Sequence, residues 1–426
     1  MKKRILVSGP ALSRSGYGEQ TRFALRCLRS REDIFDIFVH PTNWGQTGWI
    51  WEENEEREWL DNAIKKAAIY NSTGNAFYDA TLQVGIPNEW DKIAPVNIGY
   101  TAGIETTKIA PQWIEKSFLM NHIITTSDHA RHGFENTTYQ AQDQKTGQVY
   151  DDFRCKTPLT TVNYCVKKPV DTNLVKLELE HDFNFLLCAQ WGPRKNVDNT
   201  IRWFVEEFHD QEIGLVAKLN WHNDSINDRI RTERRLKNIL SQYKDRKCKV
   251  YLLHGSMTDD EMSSLYQQEK IKCLLSITHG EGFGLPIFEA AYHGLPIITC
   301  DWSGHVDFLN FPVADKKTKK KKNKSFFSKV DYQLGPIPRE AVWDGVLQAD
   351  SQWCYADQGS FKMKLREAVK NQKVYQKRAD DLKRILETER SPEKQYEEFC
   401  SVFLKYLETE EEKEWKDILD QVVSYD

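Results

Sequence analysis

Short apolar runs alternate with longer amphipathic segments along most of the chain. Apolar runs of about four to eight residues predict buried strands, whereas apolar positions at a 3.6-residue period predict helices. In the first half the pattern predicts one helix, at about residues 19–28, and five strands, at residues 4–8, 34–39, 95–100, 122–126 and 158–164.

The same alternation starts again at residue 184. It predicts strands at residues 184–189, 214–219, 249–253, 271–277 and 296–299, and helices at residues 197–208, 228–243, 262–268 and 286–293. Strands that alternate with helices are typical of an α/β fold with a parallel, doubly wound sheet.

Because the series occurs twice, we predict two Rossmann-like domains that face each other across a cleft, at residues 1–175 and 176–390. Residues 168–182 separate the two series, and we expect them to act as a hinge. Residues 391–426 form a charged segment with helical periodicity. This C-terminal helix either packs across the domain boundary or stands in solvent as a tail.

Two polar segments interrupt the pattern. Residues 135–158 form a polar insertion that we expect to be mobile. Residues 316–324 contain seven lysines, whose mutual repulsion favours a solvated loop.

Composition narrows the classes of function. A chain of 426 residues with 40% hydrophobic content can form two domains with separate cores. A net charge of -4 argues against a generally basic nucleic-acid binder, and no apolar stretch approaches the roughly 20 residues of a membrane span. The nine cysteines are scattered and never spaced Cys-x-x-Cys. That pattern disfavours a zinc site and a disulfide framework, and favours a cytoplasmic enzyme.

The most informative segment is residues 276–296, which read Ser-Ile-Thr-His-Gly-Glu-Gly-Phe-Gly-Leu-Pro-Ile-Phe-Glu-Ala-Ala-Tyr-His-Gly-Leu-Pro. A strand leads into a turn with three glycines. Pro286 suits the first position of the following helix, and Gly294 suits the position after its end. A glycine turn beside a helix N-terminus, at the carboxyl end of a parallel strand, is an anion site, and a diphosphate fits it.

Two glutamates lie eight residues apart in this segment. We place Glu281 in the turn and Glu289 in the first turn of the helix, so both carboxylates are expected to face one crevice. Carboxylates repel phosphate, but they accept hydrogen bonds from hydroxyl groups on either side of it, namely ribose and a sugar. The structural alternative is that Glu289 only interacts favourably with its helix N-terminus.

The order Glu-Gly-Phe-Gly-Leu-Pro-x-x-Glu-Ala-x-x-x-Gly-x-Pro resembles the retaining GT-B glycosyltransferases of family GT4. Residues 189–196, Ala-Gln-Trp-Gly-Pro-Arg-Lys-Asn, are similar to the family's Gly-Arg-Leu-x-x-x-Lys-Gly segment. Further resemblance lies in residues 9–18, 99–107 and 254–266, and in Trp113.

The resemblance implies a GT-B enzyme that moves a hexose from a UDP-, GDP- or ADP-sugar to a hydroxyl acceptor with retention of configuration. It implies that Glu281 contacts the donor sugar, Glu289 the ribose and Lys195 the diphosphate. The family's partner arginine aligns with Gln190, a departure for which the neighbouring Arg194 is the candidate replacement. Glu105 is the candidate polar group that reaches the reaction centre from the first domain.

The predicted site therefore has two groups of residues. Glu281 and Glu105 are the predicted catalytic residues. The predicted donor-binding residues are Gly16, Gly18, Gln190, Arg194, Lys195, Gly282, Phe283, Gly284, Leu285 and Glu289. No cofactor is expected to be permanently bound. The chain has no Asp-x-Asp motif, which holds the metal in the other common glycosyltransferase fold, so no metal ligand is predicted.

The acceptor and the class of reaction leave alternatives open. A phage-type enzyme that glycosylates hydroxymethylated bases in duplex DNA is suggested by the lysine run and by Trp44, Trp49 and Trp51. A nucleotide-sugar epimerase of the same architecture is disfavoured by the two spaced glutamates. A non-catalytic nucleotide-sugar-binding protein is the third alternative.

Overall fold

The computed structural model describes residues 2–142, 145–170, 174–314 and 320–408. Two six-stranded parallel sheets organise these residues, one in each half of the chain. Residues 171–173, within the predicted hinge, lie outside the described ranges. None of the described helices combines the length and the apolarity that crossing a bilayer requires.

The first half contains twelve strands and helices in chain order. They are β1 (Lys3–Gly9), α1 (Gly16–Arg29), β2 (Phe35–Pro41), α2 (Glu55–Ser72), β3 (Ala80–Val84), β4 (Val96–Thr101), α3 (Pro111–Ser117), β5 (His122–Thr125), α4 (Asp128–Asn136), β6 (Tyr139–Gln142), β7 (Val149–Phe153) and β8 (Leu159–Thr161). The sheet order is β2-β1-β3-β4-β5-β8, with every pair parallel.

The second half begins a new sheet. Its elements are β9 (Asn184–Gln190), α5 (Val197–Phe208), β10 (Gly214–Asn220), α6 (Ile226–Leu240), β11 (Lys249–Leu253), α7 (Asp259–Tyr266), β12 (Ile271–Ser276), α8 (Leu285–Tyr292), β13 (Ile297–Cys300), β14 (Asn310–Ala314), β15 (Lys321–Ser325), β16 (Ser328–Val330), β17 (Tyr332–Pro336), β18 (Gln352–Ala356), α9 (Gln358–Lys370), α10 (Gln372–Glu389) and α11 (Pro392–Leu407). The sheet order is β11-β10-β9-β12-β13-β16, again parallel throughout.

Both sheets are parallel and doubly wound, which confirms the prediction of two Rossmann-like domains; two strands lie on the outer side of β9, but only β2 lies on the corresponding side of β1. In each sheet the strand order reverses beside the first strand, between β1 and β3 and between β9 and β12. Loops at the carboxyl ends of such neighbouring strands diverge and leave a crevice, where ligands of open α/β sheets bind. The domain boundaries at residues 175 and 390 stay predictions.

The C-terminal helix α11 packs on the first domain. Phe399 is fully buried, with its ring centroid 5.3 Å from that of Tyr100 and 6.1 Å from that of Phe23. Phe403 lies 6.0 Å from Phe35. The chain thus returns from the second domain to the core of the first, as one of the two alternatives predicts. Residues 409–426 lie outside the described ranges.

Strand β3 was not predicted, because its sequence mixes apolar and polar residues. Thr81 and Gln83 are nevertheless buried. The Gln83 amide exchanges two hydrogen bonds with the backbone of Asp91, at 2.6 and 2.8 Å, and Thr81 Oγ1 donates to Asn97 Oδ1 at 3.0 Å. Polar side chains whose hydrogen bonds are satisfied can occupy a central strand.

Both polar segments contain strand pairs that were not predicted. Within residues 135–158, strands β6 and β7 form an exposed antiparallel hairpin. The described lysines of the 316–324 run belong partly to β15, which pairs with β14, so the prediction of an irregular loop was wrong for residues 321–324. Backbone pairing orders the strand, while its lysine side chains stay in solvent. Residues 143–144 and 316–319 lie outside the described ranges.

Replacing Phe399 with alanine tests the contribution of α11 to the first domain. We expect Phe399→Ala to lower the free energy of unfolding by about 3–5 kcal/mol, because it leaves a cavity among aromatic rings. Val374→Ala on α10 is the control, since Val374 is 67% exposed. Denaturant titration measures the free energy of unfolding of both variants. An equal loss in the two would show that Phe399 contributes no more to the core of the first domain than an exposed residue does.

Candidate functional site

The loops after β9 and β12 meet at the switch point of the second sheet. Lys195 Nζ lies 2.6 and 2.8 Å from the two carboxylate oxygens of Glu281, and Arg194 Nη1 lies 3.1 Å from Oε2. The loops are held together by their backbones, because His279 N–H donates to Arg194 O at 2.8 Å. Asn196 ends the first loop in a left-handed conformation, and its amide donates to Ile277 O.

The first domain contributes Glu105 to the same place. Arg194 Nη2 lies 3.2 Å from Glu105 Oε1. A Cβ at Gly280 would lie 2.5 Å from Glu105 O, so only glycine permits this approach of the two domains. We call Glu105, Arg194, Lys195 and Glu281 the charge cluster.

The charges of the cluster balance, with two carboxylates and two cations. The side chain of Glu281 is only 8% exposed. Burial opposes its ionisation, but the charges of Lys195 and Arg194 prevail and hold its pKa at about 2. Glu281 is therefore a carboxylate at neutral pH, and it pairs with both cations.

The glycine turn packs against the first domain. Ser127 Oγ donates to Gly282 O at 2.5 Å, and a Cβ at Gly282 would lie 2.6 Å from Ala102 O. The ring of Phe283 is buried against Tyr164. The backbone N–H groups of Gly282, Phe283 and Gly284 have no hydrogen-bond partner among the described residues. They lie beside the N-terminus of α8, so this turn can still accept an anion.

Glu289 has different partners from Glu281, and its predicted place in the first turn of the helix was wrong. Helix α8 begins at Leu285, so Glu289 belongs to its second turn and not its first. Its Oε2 accepts a hydrogen bond from Tyr266 Oη at 2.8 Å. Burial raises the pKa of Glu289 to about 7 in spite of the nearby Lys167 charge.

Glu289 and Leu285 line a cavity of about 400 Å³ between the domains. The cavity's other walls come from Arg14, the loop before α2, the first two turns of α1 and α2, the start of α7, and Lys167.

Gly16 and Gly18 begin helix α1 instead of preceding it, because the helix starts three residues before its predicted start. Ser15 caps the helix, and its Oγ accepts the Gly18 N–H at 3.0 Å, so that N–H is already used. A Cβ at Gly18 would lie 1.9 Å from Ser13 O, whereas Gly16 faces open space.

Gln190 is exposed at the end of β9, and its amide donates to Trp221 O at 2.9 Å. The structure thus brings together Glu281, Glu105, Arg194 and Lys195. Among the described residues, no hydrogen bond joins Gln190 to any of these four.

A turn at residues 302–305 was not predicted to belong to the site. Gly304 N–H donates to Glu281 O at 2.9 Å, and Ser303 Oγ accepts the Glu281 N–H at 2.9 Å. The turn directly follows β13, at the same carboxyl edge of the sheet as the glycine turn. Position at a strand end is the signal in the sequence that identifies it.

The described residues contain no group of three or more His, Cys, Asp or Glu side chains that could hold a metal ion. The structure therefore offers a site built from cations, backbone donors and carboxylates. Such a set of groups suits a phosphate flanked by hydroxyl-bearing rings.

Part of the chain is similar to known proteins. Residues 176–310 match the family model described as glycosyl transferases group 1. Over 121 residues the chain is 30% identical to the serotype-specific mannosyltransferase WbdA of Escherichia coli, a match that covers 28% of this chain and only 13% of that protein.

Solved structures share the fold over nearly the whole chain. Sucrose-phosphate synthase from Thermosynechococcus elongatus matches with a TM-score of 0.60 and 11% identity, covering 95% of this chain and 99% of that chain. Anabaena HepE in complex with UDP-glucose matches with a TM-score of 0.56 and 10% identity, covering 94% and 99%. This chain has the GT-B fold, and residues 176–310 match the glycosyl transferases group 1.

Proposed function

We propose that the chain is a retaining glycosyltransferase that moves a hexose from a nucleoside-diphosphate sugar to a hydroxyl acceptor. The observation that carries this proposal is that Lys195 and Arg194 both pair with Glu281, which lies in the glycine turn. These ion pairs lie in the cleft between two Rossmann-like domains, within the segment that matches the family model.

The donor diphosphate would replace Glu281 as the partner of Lys195. Charge-assisted hydrogen bonds to phosphate oxygens are as strong as those to a carboxylate. The free N–H groups of Gly282, Phe283 and Gly284 supply further donors. Once released from Lys195, the Glu281 carboxylate can accept hydrogen bonds from the hydroxyl groups of the donor sugar.

The nucleoside end of the donor fits the cavity beside Glu289. Its volume of about 400 Å³ lies within the ordinary range of ligand pockets. Ile50 and Leu285 provide apolar walls, and Glu289 can accept from the ribose hydroxyls. This placement puts the ribose and the sugar on opposite sides of the diphosphate.

The chemistry follows from the charges. As the bond from the anomeric carbon to the diphosphate oxygen breaks, negative charge grows on the leaving group, and Lys195, Arg194 and the backbone donors stabilise it. The acceptor oxygen forms its bond to the anomeric carbon on the face that the diphosphate leaves, and its proton passes to the departing phosphate oxygen. Glu105 is the polar group of the first domain beside this face.

Two classes of acceptor, a saccharide and hydroxymethylated duplex DNA, are to be distinguished by experiment. Trp49 and Trp51 are 60% and 67% exposed near the cleft, and exposed indoles stack equally well on sugar rings and on bases. The DNA alternative depends further on β15, whose lysines have no recorded contact with the charge cluster. A saccharide is therefore the first acceptor to test and hydroxymethylated duplex DNA the second.

A transfer assay tests the function. Labelled UDP-, GDP- and ADP-hexoses are offered with a panel of saccharides and with modified and unmodified DNA, and the anomeric configuration of the product is read by NMR. Transfer with retained configuration supports the proposal. Isomerised donor sugar without transfer would indicate an epimerase, and donor binding without turnover a non-catalytic protein.

Lys195→Met removes the central cation. We expect kcat/KM to fall by about 10²–10³-fold, as for loss of one donor that stabilises developing negative charge. Lys362→Met is a matched control: both lysines form a 2.6 Å ion pair, and their side chains are 19% and 20% exposed. If the two variants lost equal activity, Lys195 would have no specific role in transfer.

Donor affinity should depend on pH through Glu289. With a pKa near 7, its carboxyl is mostly protonated at pH 6 and mostly ionised at pH 8. Only the ionised form accepts from both ribose hydroxyls, so we expect the donor Kd to fall about tenfold from pH 6 to pH 8. An intact nucleotide sugar keeps its charge over this range, because each of its two phosphates has a single, strongly acidic ionisable group.

Calorimetric titration of wild type and Glu289→Gln separates this effect from others. The variant should bind donor with a Kd that does not change between pH 6 and pH 8. The same pH dependence in both proteins would remove Glu289 from the ribose site.

A further inference from the structure

The turn after β13 holds a serine in a backbone conformation that favours glycine. Ser303 has φ +79° and ψ −168°, and it is only 3% exposed. A residue with a side chain keeps such a conformation only when surrounding contacts offset its cost. Ser303 therefore has contacts that a glycine would lack.

Those contacts hold both backbone polar groups of Glu281. The Glu281 N–H donates to Ser303 Oγ at 2.9 Å, and the next N–H of the turn, from Gly304, donates to the Glu281 carbonyl at 2.9 Å. A Cβ at Gly304 would lie 2.0 Å from Gly282 O, so the backbones of the turn and the glycine loop are in direct contact.

His305 orients the serine hydroxyl. Its Nε2 lies 2.8 Å from Cys300 O, and because a carbonyl only accepts, Nε2 carries the ring proton. Burial lowers the pKa of His305, so the ring is neutral and Nδ1 is an acceptor. Nδ1 lies 3.4 Å from Ser303 Oγ, which can direct its proton there and offer a lone pair to the Glu281 N–H.

We propose that Ser303 is a positioning residue that fixes the backbone of Glu281 and so aims its carboxylate at the donor sugar. This inference rests on the proposed function for its catalytic consequence. Its structural part, the anchoring of the Glu281 N–H, does not depend on the proposed function. Glycine could adopt the backbone of Ser303 without strain, so the hydroxyl group is what serine adds.

Ser303→Gly separates positioning from stability, because it relieves the backbone strain while it removes the hydroxymethyl side chain. We expect kcat of sugar transfer to fall at least about tenfold, with the donor KM changed less than about threefold, because the diphosphate contacts remain. The melting temperature should stay equal to that of wild type or rise. Ser303→Ala should lose the same activity with a lower melting temperature, since it keeps the strained backbone.

Asp245→Gly is the matched control. Asp245 also has a positive φ, of +56°, and is exposed between α6 and β11. We expect this variant to keep wild-type kcat and to keep or raise the melting temperature. A Ser303→Gly enzyme with wild-type kcat, or a loss of kcat that follows a loss of melting temperature, would overturn the proposal.

Hydrogen–deuterium exchange tests the anchor without any turnover. The amide of Glu281 should exchange at least about tenfold faster in Ser303→Gly than in wild type, and at the wild-type rate in Asp245→Gly. Unchanged exchange in Ser303→Gly would overturn the anchoring. Faster exchange in a protein that transfers no sugar would refute the proposed function and leave the anchor in place.

Discussion

The ion pairs of Glu281 with Lys195 and Arg194 are the interaction on which the rest of the cleft depends. Burying a carboxylate costs free energy that only close, well-bonded opposite charges offset. Both cations come from the loop after β9, and Glu105 from the first domain completes the balance of charge. The cluster is therefore neutral only when the two domains are in contact. A diphosphate that takes over the cations would change that contact.

The glycines of the site allow close packing between backbones as well as the approach of a ligand. A Cβ at Gly280 or Gly282 would overlap the backbone of the first domain, and one at Gly304 would overlap the glycine loop itself. Within the part of the chain that the structure describes, three backbone N–H groups of the turn have no hydrogen-bond partner. The motif therefore combines two requirements, close packing between domains and free donors for an anion, which substitution by alanine would break together.

Much of the fold could be predicted from the sequence wherever the apolar runs that form its strands are continuous. The two parallel, doubly wound sheets follow from the alternation of apolar strands with helices. Lys195 and Glu281 both come after such strands, and the carboxyl ends of parallel strands lie at one edge of the sheet. Strand β3 was missed because Thr81 and Gln83 are polar, and their burial depends on partners distant in sequence. The position of Glu289 in the second turn of α8 could not be predicted either, since it depends on where α8 begins. The contact between Ser303 and Glu281 joins two loops, and nothing in the local sequence reports a positive φ at a serine.

A crystal structure with an intact nucleotide sugar tests the central claim most directly. The account predicts the diphosphate between Lys195 and the N–H groups of the glycine turn, with the ion pair between Lys195 and Glu281 opened. Glu281 should then contact the donor sugar and Glu289 the ribose. A donor bound elsewhere, with Lys195 still paired to Glu281, would contradict the assignment of the charge cluster as the donor site.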